Sequence, residues 1–252
     1  MKISKKAFYL ILSSILFFSC NKQQTPKENA FILSGELSGE IPCQLILSEI
    51  GKTGFKSADT IVVDEKGKFS KTINLEEETL YSLSLKDDYI TLCPKAKEII
   101  TIKAETSDFS GSYEVNGSQE SQLLKEVNAH NSQVRKTLKS MSDYLKSNDI
   151  NNLDSVKHVF IKRLQQMHAQ ELAYSENFIR KNKGSLTTLI VLYRTFEGRP
   201  LFDYRHDLTM HKETLDGLSK TLPNNQHTLS LKSFVEQKER ENNERLAAEN
   251  SK

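Results

Sequence analysis

The chain has 252 residues, with 35 Lys or Arg against 33 Asp or Glu, a formal charge of +2, no tryptophan and three cysteines. A balance this close to neutral offers no broad basic face for nucleic acid and no charge-driven pull to anionic lipid. Residues 31–117 carry 9 basic and 15 acidic side chains and residues 118–252 carry 21 and 17, so two bodies of different character are expected.

At the N-terminus Lys2, Lys5 and Lys6 precede an apolar run from Ala7 to Phe18, broken only by Ser13 and Ser14. A span of the hydrocarbon core needs about 20 apolar residues, so this run reads as an export signal of residues 1–19 and is left out of the fold. It ends in Leu16-Phe17-Phe18-Ser19-Cys20, a small residue directly before a cysteine, followed by polar Asn21-Lys22-Gln23-Gln24. This resembles the lipobox of bacterial lipoproteins, although Phe17 stands where most lipoboxes carry Leu; an ordinary secretory signal or an uncleaved anchor is the alternative. The resemblance implies a lipid on Cys20 that holds the protein to a membrane, with residues 20–30 as lipidated cysteine and polar tether. With no Asp directly after Cys20, the expected address is the outer membrane, facing the periplasm.

From Phe31 the pattern has period two. Segments 31–37, 43–47, 60–63, 69–73, 80–85, 89–93 and 98–102 are short and rich in β-branched or large apolar residues, and Gly39, Pro42, Gly51 to Gly54, Asp64 to Gly67, Asp87-Asp88 and Pro94 punctuate them. Seven closely spaced strands with no helix between them predict an antiparallel β-sandwich or open barrel over residues 31–117, and argue against a parallel sheet.

Phe31 to Gly35, Leu45-Ile46-Leu47, Asp59 before a strand, Asp64-Glu65-Lys66-Gly67-Lys68-Phe69, Tyr81-Ser82-Leu83, and Val115-Asn116-Gly117-Ser118 followed by Leu123-Leu124 occur in an order that carries a resemblance. Together they look like the domain-of-unknown-function 4369 family, a β-sandwich at the N-terminus of many Gram-negative envelope lipoproteins. Many such proteins continue into a thioredoxin-like domain with a Cys-x-x-Cys site, making them thiol-disulfide interchange proteins. This sequence has no Cys-x-x-Cys and no cysteine after Cys93, so the resemblance implies the address and the sandwich and not the redox activity.

After Gly117 the period changes, and Ser118 is placed to cap a helix. Leu124, Val127, Asn131, Val134, Leu138, Met141 and Leu145 form one stripe; Leu153, Val156, Phe160, Leu164, Met167, Tyr174 and Phe178 form a second, after the polar turn 148–152. They predict a helical hairpin packed on itself rather than a coiled-coil dimer, hence a monomer. A third helix over 186–196, broken by Gly198-Arg199-Pro200, and further helices over 209–222 and from His227 complete an all-α domain, 118–235. The charged stretch 236–252 is expected to be a solvated helix that frays into a disordered tail. The fold class is therefore α+β: an antiparallel β-sandwich followed by an all-α helical domain.

The six histidines, His130, His158, His168, His206, His211 and His227, show no i, i+4 pair and no His-Glu-x-x-His, and glycine-rich phosphate or dinucleotide loops and a Gly-x-Ser-x-Gly elbow are absent from the sequence. His168 with Glu171, and Asp203, His206 and Asp207, are read as solvated or capping groups. No catalytic residue, metal or cofactor is expected, and the chain is not expected to be an enzyme. Cys43 and Cys93 are a possible disulfide, closing a loop of about 50 residues for about 4 kcal/mol in the chain-entropy model, or two free thiols. Two functions remain: a non-catalytic envelope module that binds or scaffolds a protein, peptide or glycan partner, and a docking accessory to thiol-disulfide exchange by a separate thioredoxin-like protein.

Overall fold

The computed structural model describes residues 26–51, 54–147 and 153–250; the expected export signal, Cys20, most of the expected tether and the turn expected at 148–152 lie outside the described residues. Strands β1 (Ala30–Ser38), β2 (Cys43–Gly51), β3 (Gly54–Val63), β4 (Lys68–Asn74), β5 (Tyr81–Leu85), β6 (Asp88–Leu92) and β7 (Ile99–Glu105) contain the seven segments of alternating residues, nearly to their ends. A four-residue helix α1 (Phe109–Ser112) and a short β8 (Glu114–Asn116) follow. The strands form two four-stranded sheets, ordered β4-β1-β7-β8 and β3-β2-β5-β6. Alternate residues of both sheets, among them Phe31, Leu33, Leu45, Leu47, Ile61, Leu83, Ile90, Ile100 and Ile102, fill the core between them.

One pair departs from the antiparallel expectation: β1 runs parallel to β7, with Ile32 opposite Ile99 and Ser38 opposite Glu105. Alternation is the same whichever way a strand runs, and no hairpin ties these two strands, because the whole of β2 to β6 lies between them. The Asp64 to Gly67 turn is built from its own side chain. Asp64 Oδ1 accepts the Lys66 and Lys68 amides at 2.9 and 2.8 Å. Gly67, at φ +76°, lies where a Cβ would come within 2.1 Å of the Leu37 carbonyl oxygen, so only glycine fits.

The second half comprises α2 (Gln119–Ser147), α3 (Leu153–Lys181), α4 (Thr187–Leu192), a small hairpin of β9 (Thr195–Phe196) and β10 (Arg199–Pro200), α5 (Thr209–Thr221) and α6 (Gln226–Asn250). Ser118 Oγ accepts the Ser121 amide at 3.3 Å, the cap expected of it, and Ser185 Oγ accepts that of Thr187 at 3.1 Å. The helix expected over 186–196 stops at Leu192. Glu197 (φ 49°) and Gly198 (φ 76°) make a turn with two left-handed residues, which matches a tight antiparallel hairpin and pulls Thr195 and Phe196 out of the helix. Beyond Val235 α6 continues as helix to Asn250.

The halves share a core. Leu80 and Cys93 of the sandwich pack with Leu124, Val127, Phe178, Ile179, Leu189, Leu192 and Leu231 of the helices. Polar contacts reinforce the junction: Asn225 Nδ2 donates to the Glu78 carbonyl at 2.6 Å, and Glu77 accepts the Gln226 amide at 3.0 Å, at the first turn of α6. No helix among the described residues is long and apolar enough to cross a membrane.

Candidate ligand-binding groove

Strand β6 is the outer strand of its sheet and points Ile90 and Leu92 into the core, leaving Tyr89 on the opposite face with 57% of its surface exposed. Helix α1 folds beside it and α2 passes over both. The three elements enclose a cavity of about 670 Å³. Its sandwich wall carries Asp88, Tyr89, Asp108 and Ser110, and its helical wall carries Lys125, Asn128, Ser132, Gln133, Arg135 and Lys136.

The sandwich wall is held in place by Asp88, whose Oδ2 accepts the Ser110 amide at 2.8 Å and whose Oδ1 accepts the Tyr89 amide at 2.9 Å. Burial opposes ionisation of this carboxyl, but the hydrogen bonds from Ser110, Tyr89 and Phe109 outweigh it and hold the pKa below the ordinary value. Tyr113 forms the floor; it is 4% exposed, and burial pushes its phenol pKa up. Its hydroxyl lies beside the Asn128 amide without a partner in hydrogen-bond geometry. Lys125 Nζ sits 5.5 Å from the centre of the Tyr113 ring, a cation–π contact that keeps the ammonium at the groove. One wall is thus acidic and the other basic, with amides and hydroxyls between them. The lining holds no histidine or cysteine to pair with a serine as base or nucleophile. Its carboxylates, ammonium groups, amides and hydroxyls can hydrogen-bond and pair charge with a polar ligand.

Among the described residues, none of the candidate site residues named from the sequence lies in the groove. The possible Cys43–Cys93 disulfide is not formed: both are free thiols, Cys43 half-buried against the sandwich core and Cys93 buried in the shared core. The Cys93 amide donates to Ser121 Oγ at 3.1 Å and its carbonyl accepts Ser118 Oγ at 3.3 Å, so β6 ends against the first turn of α2. Burial, with Glu120 and Glu78 nearby, raises the Cys93 pKa well above its ordinary value, and burial raises that of Cys43 too. Neither is an activated thiolate.

Glu171 was read as solvated; it is 6% exposed and ionically bound. Its Oε2 accepts Arg194 Nη2 at 2.7 Å and lies 2.9 Å from His130 Nε2, while the His130 ring stacks on Tyr174 with centroids 3.6 Å apart. The network joins α2, α3 and the chain before β9. Asp203, His206 and Asp207 are a surface group. Asp203 bonds Arg205 at 2.6 and 2.8 Å, which draws its pKa down to about 2, and Asp207 accepts the Thr209 amide at 2.8 Å, capping α5 as expected. No group of three His, Cys, Asp or Glu side chains is placed to hold a metal ion among the described residues.

His211, 1% exposed, was not distinguished from the other histidines. It lies among the rings of Tyr193, Tyr204 and Phe234, and its Nδ1 has no hydrogen-bond partner. Burial lowers its pKa below the ordinary 6.5, against a smaller opposing pull from Asp207. The unfolded chain therefore binds a proton here that the folded chain refuses, and stability falls as pH drops below about 6.5. Cys93 and Tyr81 act at the other end: their folded pKa values lie above the ordinary 9.0 and 10.0, that of Tyr81 at about 12, so stability falls as pH rises past about 9. Melting temperatures at pH 5.5, 7.5 and 10 should be highest at 7.5. A monotonic trend across the three would contradict these assignments.

The fold and groove define an α+β protein with an N-terminal β-sandwich and a helical second half. Residues 31–124 match the model of the DUF4369 family, a domain of unknown function, over the stretch where the sequence resemblance lies. No curated protein matches the chain. Among solved structures, a DUF3823 family protein from Parabacteroides merdae is 17% identical over 32% of this chain and 46% of its own, with a TM-score of 0.24. An (S)-allantoin synthase is 8% identical over 38% of this chain and 46% of its own, with a TM-score of 0.25. The chain thus spans about half the length of the solved structures it matches.

Proposed function

We propose that the protein is a non-catalytic binding module, lipid-anchored at Cys20 in a bacterial envelope, that holds a polar ligand in the groove between β6, α1 and α2. The observation that carries this reading is the groove's lining: carboxylates, ammonium groups, amides and hydroxyls facing one cavity. A glycan suits it best. The exposed Tyr89 ring can take the C–H face of a sugar, and Asp88, Asn128 and Gln133 can bond its hydroxyls. The lipid anchor is supported by the Cys20 motif and by the polar segment between it and β1. The other function, docking for a thioredoxin-like partner, has no described residue that speaks for it.

Two measurements test the proposal. Titration of the full chain with a glycan panel should find a ligand whose affinity falls about tenfold, ~1.4 kcal/mol, in Tyr89→Ala; binding unchanged by that substitution would place the site elsewhere. Cys20→Ser should lose an acyl mass and leave the membrane fraction. Unchanged fractionation would support an uncleaved anchor.

A further inference from the structure

The ligand groove holds positive charge that its own residues do not neutralise. On α2, Lys125, Asn128, Ser132, Arg135 and Lys136 recur at steps of three and four, so all five lie on the helix face that lines the cavity. None of the three cations is ion-paired among the described residues. Glu126, the acidic residue of α2 between Lys125 and Lys136, lies one step round the helix and outside the lining. The opposite wall brings two carboxylates, and both are turned to their own backbone. Asp88 accepts the Tyr89 and Ser110 amides, and Asp108 lies over Gly111 of α1, where a Cβ would meet its oxygens at 2.3 and 2.5 Å.

A second observation points the same way. Tyr113, 4% exposed, lines the cavity with a hydroxyl that has no hydrogen-bond partner, and Lys125 Nζ stands 5.5 Å from the centre of its ring. One residue thus brings an unpartnered donor and an ammonium to that end of the groove, and a ligand oxygen accepting from the phenol would satisfy a buried polar group. Lys125 and Lys136 stand about three turns, or 16 Å, apart along the helix axis. A single phosphate or carboxylate could meet only one end, whereas an oligosaccharide with charge on successive units reaches both. We infer that the groove takes an acidic glycan, whose carboxylates or sulfates meet Lys125 at one end and Arg135 and Lys136 at the other, with its hydroxyls toward Asp88 and Asn128. The inference rests on the groove being a glycan site and adds the charge of the glycan.

The test titrates the full chain with two matched pairs, tetragalacturonate against its methyl ester and sulfated maltotetraose against maltotetraose, and with tetraglutamate. At least one acidic sugar should bind about tenfold more tightly than its uncharged counterpart, and the ratio should shrink as salt rises. Which pair shows the preference separates carboxylate from sulfate. Lys125→Gln, and Arg135→Gln with Lys136→Gln, checked for unchanged helix content by circular dichroism, should each cut the ratio about fivefold. Lys181→Gln, exposed on α3 and outside the lining, should leave it unchanged. The inference is overturned if neither acidic sugar is preferred, if the lining substitutions leave the ratio as it was, if Lys181→Gln lowers it equally, or if tetraglutamate binds as tightly as the acidic sugars. Uncharged sugars that bind as well as acidic ones, and lose affinity in Tyr89→Ala, would overturn this inference and leave the glycan reading standing; no binding by any sugar would end both.

Discussion

Replacing Arg194 by methionine should lower the stability of the folded chain by about 3–5 kcal/mol, the cost of leaving one partner of a buried ion pair without the other. Both side chains of the Arg194–Glu171 pair are nearly closed off from water, at 9% and 8% exposed. Arg194 also donates to Ser175 Oγ at 3.1 Å and lies 5.5 Å from the centre of the Tyr174 ring. Methionine keeps the packing volume and removes the charge, so Glu171 is left with His130 as its one polarisable neighbour. The companion Glu171→Gln should also destabilise, since it leaves the buried Arg194 guanidinium without its counter-charge. In a double-mutant cycle read by urea denaturation, the two losses should fall short of additivity by more than about 0.5 kcal/mol, the mark of residues in one network. Additive losses would mean that the pair does not act as a unit.

A second large effect is expected at Phe31. Its ring has no exposed surface and meets Tyr81 of the opposite sheet with centroids 5.7 Å apart, so it bridges the two layers of the sandwich. Phe31→Ala removes that bridge and leaves a cavity between sheets that strand pairing prevents from closing, for a loss of about 3–5 kcal/mol. Val62→Ala on β3, where the side chain is 65% exposed on the outer face, should change stability by no more than about 0.5 kcal/mol. A comparable loss at both positions would mean that the inward and outward faces had been exchanged.

Much of the fold can be read from the residues alone. Alternation marked the strands because each buries one face, and the 3.5-residue stripes marked α2 and α3 for the same reason. The parallel β1–β7 pair could not be read, since alternation carries no direction. Helix α1 and strand β8, with four and three residues, are too short to show a period. The 186–196 segment misled because Phe196 continues the apolar run, while the turn at Glu197 and Gly198 draws it into a hairpin. His211 did carry a signal: with Met210, Thr214 and Leu218 it makes a buried stripe on α5.

The groove is less accessible to such reading. Asp88, Ser110 and Lys125 come from a strand end, a helical turn and a long helix, and no local pattern announces that they will face one another. The Glu171 network is of the same kind, since His130, Glu171 and Arg194 lie on three elements. Cys43 and Cys93 show the reverse. Their spacing allowed a disulfide, and the structure places them in two different cores.

The central claim is that ligand binds between β6, α1 and α2, and amide chemical-shift mapping of the full chain tests it most directly. With a glycan selected from the panel, the shifts should concentrate at residues 88–91, 108–113 and 125–136, and Tyr89→Ala should shrink them severalfold at a ligand concentration near the Kd of the unsubstituted chain. Shifts that centre on another surface, with residues 88–91 and 125–136 unmoved, would contradict the account.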